Sequence, residues 1–158
     1  MNLREIEEGL AVRATLEGLA CREAYAKITS KERMDMGRAL QGMKEAAQTR
    51  DGDKFFKAHK RFHEIFINAS GNHLLIRLLN VPRIHRLWYP SADDYHMPTV
   101  EQSIESHQKI WEMFMDPHTN PDELASLVRG YIEAARKRLF FLMGGDSKNE
   151  NQPGYALQ

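Results

Sequence analysis

The sequence predicts an all-α protein, a single antiparallel bundle of about six to seven helices. Apolar residues recur at helical spacing in every long segment, with charged residues on the opposite side. Helix-favouring Ala, Leu, Glu and Arg are common, and most of the 6 Pro lie at breaks between segments. The 158 residues are enough for one domain with a hydrophobic core.

The first two helices are defined by their apolar faces and by a capping motif between them. The first is predicted over residues 3–27, where apolar side chains recur on one face. These side chains are Leu3, Ile6, Leu10, Ala14, Leu16, Ala20 and Ala24. Thr29 followed by Glu32 is the pattern of a capping box, and it predicts a second helix over about residues 31–49. The predicted inward residues of that helix are Met34, Ala39, Leu40 and Met43.

The third helix is predicted over about residues 54–69, with Asp53 as its N-cap. Its inward stripe combines aromatic residues with two histidines: Phe55, His59, Phe62, His63 and Phe66. Gly71 suits the left-handed conformation that ends many helices. A fourth helical pattern covers residues 73–88, and Pro82 must kink or split it because proline has no N–H and clashes with the preceding turn.

Two more helices follow a loop that is predicted over residues 89–98 and is bounded by prolines. Thr99 is the predicted cap of the fifth helix. The inward residues of that helix are Ile104, His107, Ile110, Trp111 and Phe114. Asn120, which stands directly before a proline, predicts the start of a last helix over about residues 121–143.

Charge and cysteine content narrow the classes of function. Lys plus Arg and Asp plus Glu both number 22, so the net charge is 0, which argues against a surface built for nucleic acid or anionic membranes. No segment approaches the roughly 18 apolar residues of a membrane span. Cys21 is the one cysteine, which excludes an intramolecular disulfide and a cysteine zinc cluster, and we expect a cytoplasmic location.

We assign residues 1–145 to one domain and expect residues 146–158, which are polar, to be a disordered tail.

Three histidines occupy positions where the helical pattern predicts core residues. His59 and His63 are four residues apart, so both project from one helix face, and His107 lies on the inward face of another helix. Three imidazoles from two helices suit Zn²⁺, Ni²⁺ or another borderline transition metal. The alternative stays open that each is a partly buried histidine bonded to a backbone carbonyl.

Arg13, Glu17 and Tyr131 are further candidates for a binding site. Arg13 and Glu17 lie one turn apart beside the apolar stripe, and this spacing by itself favours an ordinary ion pair. The functional alternative is an Arg13 guanidinium at the edge of a cavity that receives a carboxylate. Tyr131 is compatible with a core position or with a cavity wall. Motifs for a nucleophile elbow, a phosphate-binding loop or a metalloprotease are absent from the sequence, so we do not expect an enzyme.

Four stretches of the chain resemble, in order and spacing, the FadR-type C-terminal (FCD) domain of GntR-family bacterial transcription regulators. They are RATLE at 13–17, FH at 62–63 followed by ASGN at 69–72, ESHQKI at 105–110 and LVRGYI at 127–132. The resemblance covers about residues 3–143. It implies an all-α, effector-sensing domain that is usually a homodimer. It also implies a cavity for a small organic acid, often bound through a metal ion.

The resemblance further implies which residues form the site. Metal-binding members use an Asp and a His one turn apart, followed by two more His. By position, His63 and His107 match two of these ligands in type. His59 stands where the Asp is expected, and Tyr131 stands where the last His is expected. The expected metal ligands, for Zn²⁺ or Ni²⁺, are His59, His63 and His107, and the expected contacts to the carboxylate effector are Arg13, Tyr131 and His59.

The winged-helix DNA-binding domain of the family has no counterpart in these 158 residues. We therefore expect operator DNA to be bound only through such a domain in the parent protein. Two rival interpretations stay open: a small helical-bundle metalloenzyme with three histidines and an open coordination position, and a purely structural dimerisation bundle. The first needs a general base near the metal. The second predicts a stability that is indifferent to chelators and to small acids.

Overall fold

The computed structural model describes residues 2–81 and 97–142, which form six helices and contain no strand. These are α1 Leu3–Tyr25, α2 Ser30–Gln48, α3 Gly52–Ala69, α4 His73–Leu79, α5 Met97–Met115 and α6 Pro121–Leu142. The all-α prediction is confirmed. The predicted kink at Pro82, most of the predicted loop at 89–98 and the predicted tail at 146–158 lie outside the described residues. None of these six helices is long and apolar enough to cross a membrane.

Side-chain caps define where α2 and α3 begin. The Glu32 N–H donates to the Thr29 hydroxyl at 3.1 Å, and the Thr29 N–H donates to the Glu32 carboxylate at 2.9 Å. This reciprocal pair confirms the predicted capping box. The predicted cap of α3 was wrong, because Asp51 rather than Asp53 accepts the free Lys54 N–H, at 3.0 Å. That hydrogen bond lowers the pKa of the Asp51 carboxyl below its ordinary value.

Two further helix boundaries test the sequence predictions. α5 begins at Met97, so Thr99 lies inside its first turn and does not cap it. Pro98 is tolerated there because the first N–H groups of a helix have no intrahelical acceptor. After α3, Gly71 adopts φ +63°, which confirms the predicted left-handed position. The Asn120 side chain accepts a backbone N–H at the start of α6 at 2.9 Å, as its place before the proline predicts.

The helices pack through close backbone approaches. α1 packs most extensively against α6, and α2 packs against both α3 and α5. A Cβ atom at Gly18 would lie 3.0 Å from the Ala125 carbonyl oxygen, so a larger residue there would require α1 and α6 to move apart by a few tenths of an ångström. At Gly37 a Cβ atom would lie 3.1 Å from the Trp111 ring of α5. The Trp111 indole N–H also donates to the Arg33 carbonyl at 3.0 Å, which fixes the ring over α2.

The core lies between these helices and is built from aromatic, aliphatic and Met side chains. Its largest fully buried apolar members are Phe62, Phe66, Phe114, Met36, Met43, Ile110, Leu124 and Val128. Met34 was predicted to face inward, but 55% of it is exposed. The buried stripe of α2 instead follows Met36, Leu40, Met43 and Ala47, which is an i, i+4, i+7, i+11 spacing. Residues two positions apart point to different faces of a helix, so Met34 and Met36 cannot both face the core.

Candidate metal and effector site

The three predicted histidines come together between α3 and α5. His59 and His63 lie one turn apart on α3, and His107 lies on α5. One ring nitrogen from each residue is within 4.8 Å of those of the other two. The ring centroids are separated by 4.7 Å for His59–His63, 4.7 Å for His59–His107 and 4.9 Å for His63–His107. Side chains from two helices therefore converge on one small volume.

The ring of His63 is held by the buried carboxylate of Glu17. Its Nδ1 lies 2.7 Å from Oε1 of Glu17 on α1. The second carboxylate oxygen of Glu17 accepts a hydrogen bond from Nε of Arg13 at 2.8 Å. Arg13, Glu17 and His63 are all buried. Burial raises the pKa of Glu17, while the Arg13 guanidinium acts in the opposite direction.

His107 is held by the backbone of its own helix. Its Nδ1 lies 2.6 Å from the carbonyl oxygen of Ser103, one turn earlier on α5. Its Nε2 lies 2.7 Å from Nε2 of His63. The two imidazoles thus point their Nε2 atoms at each other, and each ring is anchored through its Nδ1 atom.

The groups that contact the two Nδ1 atoms, the Glu17 carboxylate and the Ser103 carbonyl, are hydrogen-bond acceptors, and this favours a proton on each Nδ1. A carbonyl oxygen and an ionised carboxylate can only accept, so Nδ1 of each ring must carry the hydrogen that is donated. In a neutral imidazole the other nitrogen then has a lone pair and no proton. Two lone pairs would face each other at 2.7 Å between His63 and His107. A cation between the rings, either a proton or a metal ion, would stabilise this short contact.

Burial makes the proton the less favourable cation. Desolvation lowers the pKa of His107 to about 4, although its hydrogen bond to Ser103 and the Glu17 charge act against this shift. Desolvation, followed by the charge of His107, also lowers the pKa values of His63 and His59 well below the ordinary histidine range. Burial therefore favours the neutral form of these imidazoles, which is the form that binds metals.

Aromatic rings enclose the cluster. Phe62 meets His107 edge-on at a centroid distance of 4.9 Å, and Phe66 lies 5.2 Å from His63. Phe55 stacks on His59 at 6.3 Å. This apolar wall lowers the local dielectric constant and so strengthens electrostatic interactions near the site. Three imidazole nitrogens in such surroundings fit a borderline divalent ion such as Zn²⁺ or Ni²⁺, and they fit Mg²⁺ or Ca²⁺ poorly because those ions prefer oxygen ligands.

The fold and the histidine cluster can now be set beside known families. The FCD domain family matches residues 8–134 of this chain, which include all three histidines. The chain belongs to the FCD domain family. FCD domains are the C-terminal effector-binding domains of GntR-family regulators, and such regulators are generally not enzymes. No curated protein matched the chain in a parallel comparison.

The remaining predicted site residues of this FCD domain lie in different surroundings. The Arg13–Glu17 pair was predicted to lie beside the apolar stripe, either as an ordinary ion pair or with Arg13 at the edge of a cavity, and it is buried in the interior against His63. Tyr131 lies on α6, half-buried and packed against the hydrophobic core. Burial raises the pKa of its phenol, which keeps the hydroxyl protonated near neutral pH.

The sequence analysis missed two partners of the FCD site. The contact from Glu17 to His63 was not predicted. A bond from each histidine to a backbone carbonyl was left open as an alternative, and His107 makes such a bond, but Ser103 was not named as its partner. A backbone carbonyl leaves no signal in the sequence. Glu17 does leave one, because it occupies a position in a repeat of otherwise apolar buried residues on α1: Leu10, Ala14, Cys21 and Ala24. A carboxylate in an apolar stripe indicates a buried partner.

Proposed function

We propose that this FCD domain senses a small organic acid through a bound divalent transition metal and joins two copies of the regulator as a homodimer. The observation that carries the metal proposal is the 2.7 Å contact between Nε2 of His63 and Nε2 of His107. The Nδ1 atom of each ring lies at hydrogen-bond distance from an acceptor, so both Nε2 lone pairs are available to a cation between the rings. His59 adds a third nitrogen to the same volume.

The donor set favours Zn²⁺ or Ni²⁺. The resemblance to metal-binding FCD members places a carboxylate at position 59, where this chain has His59. Replacement of a carboxylate by an imidazole removes one negative charge and shifts the preference from hard cations towards borderline ones. We therefore propose His59, His63 and His107 as the metal ligands.

The charge balance of the site favours an anionic effector. The positive charge of Arg13 is balanced by the negative charge of Glu17 at 2.8 Å, and burial favours the neutral form of the three imidazoles. A bound divalent ion would supply the excess positive charge that holds a carboxylate group. We propose that Arg13, Tyr131 and His59 contact this effector, and the side chains of His59 and Tyr131 are both half-buried. The identity of the acid is not part of the proposal.

Effector binding is proposed to act by a shift between helix arrangements. A ligand can change such an equilibrium only by its difference in affinity for the two arrangements. In the parent regulator a winged-helix domain would transmit the shift to operator DNA, and residues 1–145 would form the sensing and dimerising unit. We propose a cytoplasmic location for this function.

The metal proposal is tested by titration of the metal-free chain with Zn²⁺ and Ni²⁺ in competition with a chromophoric chelator. We expect about one equivalent per chain. The melting temperature should rise with metal and fall again in EDTA, because a ligand at a hundred times its Kd stabilises by about 2.7 kcal/mol. Small dicarboxylic and tricarboxylic acids should raise it further only in the metal-loaded protein.

Four variants distinguish the site from adventitious binding. His59→Ala, His63→Ala and His107→Ala should each weaken metal binding by at least tenfold, because each removes one ligand. The matched control is His118→Ala, because His118 is exposed in the turn after α5. Absence of binding by the wild-type chain would refute the metal proposal, and so would equal binding by all four variants. Sedimentation at several concentrations tests the homodimer separately.

A further inference from the structure

We infer that Glu17 is the positioning residue of the histidine site, because it fixes which ring nitrogen of His63 faces His107. Its importance for metal binding rests on the proposed function. The arrangement of protons that it imposes is a property of the chain alone and is measurable without metal. Glu17 lies on α1, outside the two helices that carry the histidines.

The geometry around Glu17 leaves one arrangement of hydrogens. Arg13 donates from Nε to one carboxylate oxygen at 2.8 Å, and Nδ1 of His63 lies 2.7 Å from the other oxygen. The charge and the hydrogen bond of the Arg13 guanidinium favour the ionised carboxylate against the opposing effect of burial, and an ionised carboxylate has no proton to donate. The hydrogen between Glu17 and His63 therefore belongs to Nδ1, and Nε2 keeps its lone pair.

This arrangement aims the lone pair of His63 at the cluster. Nε2 of His63 lies 2.7 Å from Nε2 of His107, so the nitrogen left unprotonated is the one directed at the neighbouring ring. At His107 the same function falls to the Ser103 carbonyl, which no side-chain substitution removes. Glu17 is thus the side chain through which the arrangement can be altered.

The substitution Glu17→Gln tests the tautomer of His63, because Arg13 determines which way the glutamine amide turns. A glutamine amide has the shape of the carboxylate but only one acceptor oxygen. Arg13 can only donate, so it attracts that oxygen and turns the amide NH₂ towards Nδ1 of His63. Nδ1 must then accept, and the ring proton moves to Nε2. The substitution should reverse the His63 tautomer and replace the lone pair that faces His107 with a proton.

The first measurement needs no variant that alters Glu17. Long-range ¹H–¹⁵N correlation spectra of the metal-free full chain at neutral pH, labelled at histidine, identify the protonated nitrogen of each ring. The His63 signals are assigned by their absence from the His63→Ala spectrum. We expect Nδ1 of His63 to be protonated and Nε2 to be unprotonated. A wild-type His63 protonated at Nε2 would overturn the inference.

The second measurement compares Glu17→Gln with Glu7→Gln. Glu7 is also on α1 and accepts from Arg136 of α6 at 2.9 Å, so its loss removes an ion pair of the same kind elsewhere on the helix. Glu17→Gln should show Nε2 protonation at His63 and a Zn²⁺ affinity about 10- to 100-fold lower. Glu7→Gln should retain the wild-type tautomer and affinity. A Glu17→Gln protein with the wild-type tautomer would contradict the inference.

A double variant separates positioning from general damage to the fold. In Arg13→Met/Glu17→Gln the donor that attracts the amide oxygen is gone, so the oxygen can turn to Nδ1 of His63 and restore the wild-type tautomer. A purely structural role predicts no such rescue from the loss of a second buried polar group. If the wild-type chain has the expected tautomer but binds no Zn²⁺ or Ni²⁺, the proposed function fails while the inference on Glu17 stands.

Discussion

Helix α1 contains two Arg–Glu pairs that are identical in type and spacing. Arg4 with Glu8 and Arg13 with Glu17 are both i, i+4 pairs, and in both the arginine Nε lies 2.8 Å from a carboxylate oxygen. They differ in surroundings. The Arg4 and Glu8 side chains are 85% and 62% exposed, whereas those of Arg13 and Glu17 are 6% and 0% exposed.

This difference in burial distinguishes an ion pair on the surface, Arg4–Glu8, from an ion pair that belongs to the histidine site, Arg13–Glu17. An exposed pair is screened by water and salt, and its long side chains lose entropy when they are held together, so it stabilises little. Two charges in the interior carry a large desolvation cost, and a buried pair is weak evidence for stability in itself. Glu17 also binds His63, which Glu8 does not. The buried pair is therefore best explained by the site that it supports.

The largest expected effect comes from truncation of the glutamate in each pair. Glu17→Ala leaves the buried Arg13 without that carboxylate and removes the anchor of His63, so we expect a loss of about 3 kcal/mol or more in the free energy of unfolding. Glu8→Ala should leave the melting temperature essentially unchanged. Urea denaturation of the wild type and both variants measures the contrast. Equal stabilities for the two variants would refute the distinction between the pairs.

A smaller effect extends the same contrast to glycines inside helices. Gly130 is exposed on α6, and a Cβ atom there meets nothing within 4 Å. Gly130→Ala should stabilise the protein by about 1 kcal/mol because alanine has the higher helix propensity. Gly37→Ala gains the same propensity but places a methyl group 3.1 Å from the Trp111 ring, so we expect a net loss of about 1 kcal/mol. Thermal melts measure both, and a stabilised Gly37→Ala protein would show that Trp111 can move.

Much of the fold could be predicted because its signals are local. Thr29 and Glu32 specify a cap through their own side chains, and Gly71 specifies a left-handed residue through its missing Cβ. The errors occurred where two neighbouring residues are chemically alike. Asp51 and Asp53 can each cap α3, and only the path of the chain before the helix decides between them.

The site was partly predictable for a related reason. Helical spacing places His59, His63 and His107 on inward faces, and burial of those faces brings them together. The role of Glu17 was not predicted, because its spacing from Arg13 is the same as that of Glu8 from Arg4. Burial distinguishes the two pairs, and burial of one turn of α1 depends on how α3 and α6 pack against it.

The central claim is that three imidazoles from α3 and α5 hold one divalent ion. X-ray absorption spectroscopy at the zinc edge of the Zn²⁺-loaded chain tests it most directly, because multiple scattering from imidazole rings reports how many histidines bind the metal. We predict three histidine ligands in the wild type and two in His107→Ala. A zinc shell made of oxygen ligands, or a spectrum unchanged by His107→Ala, would contradict the account.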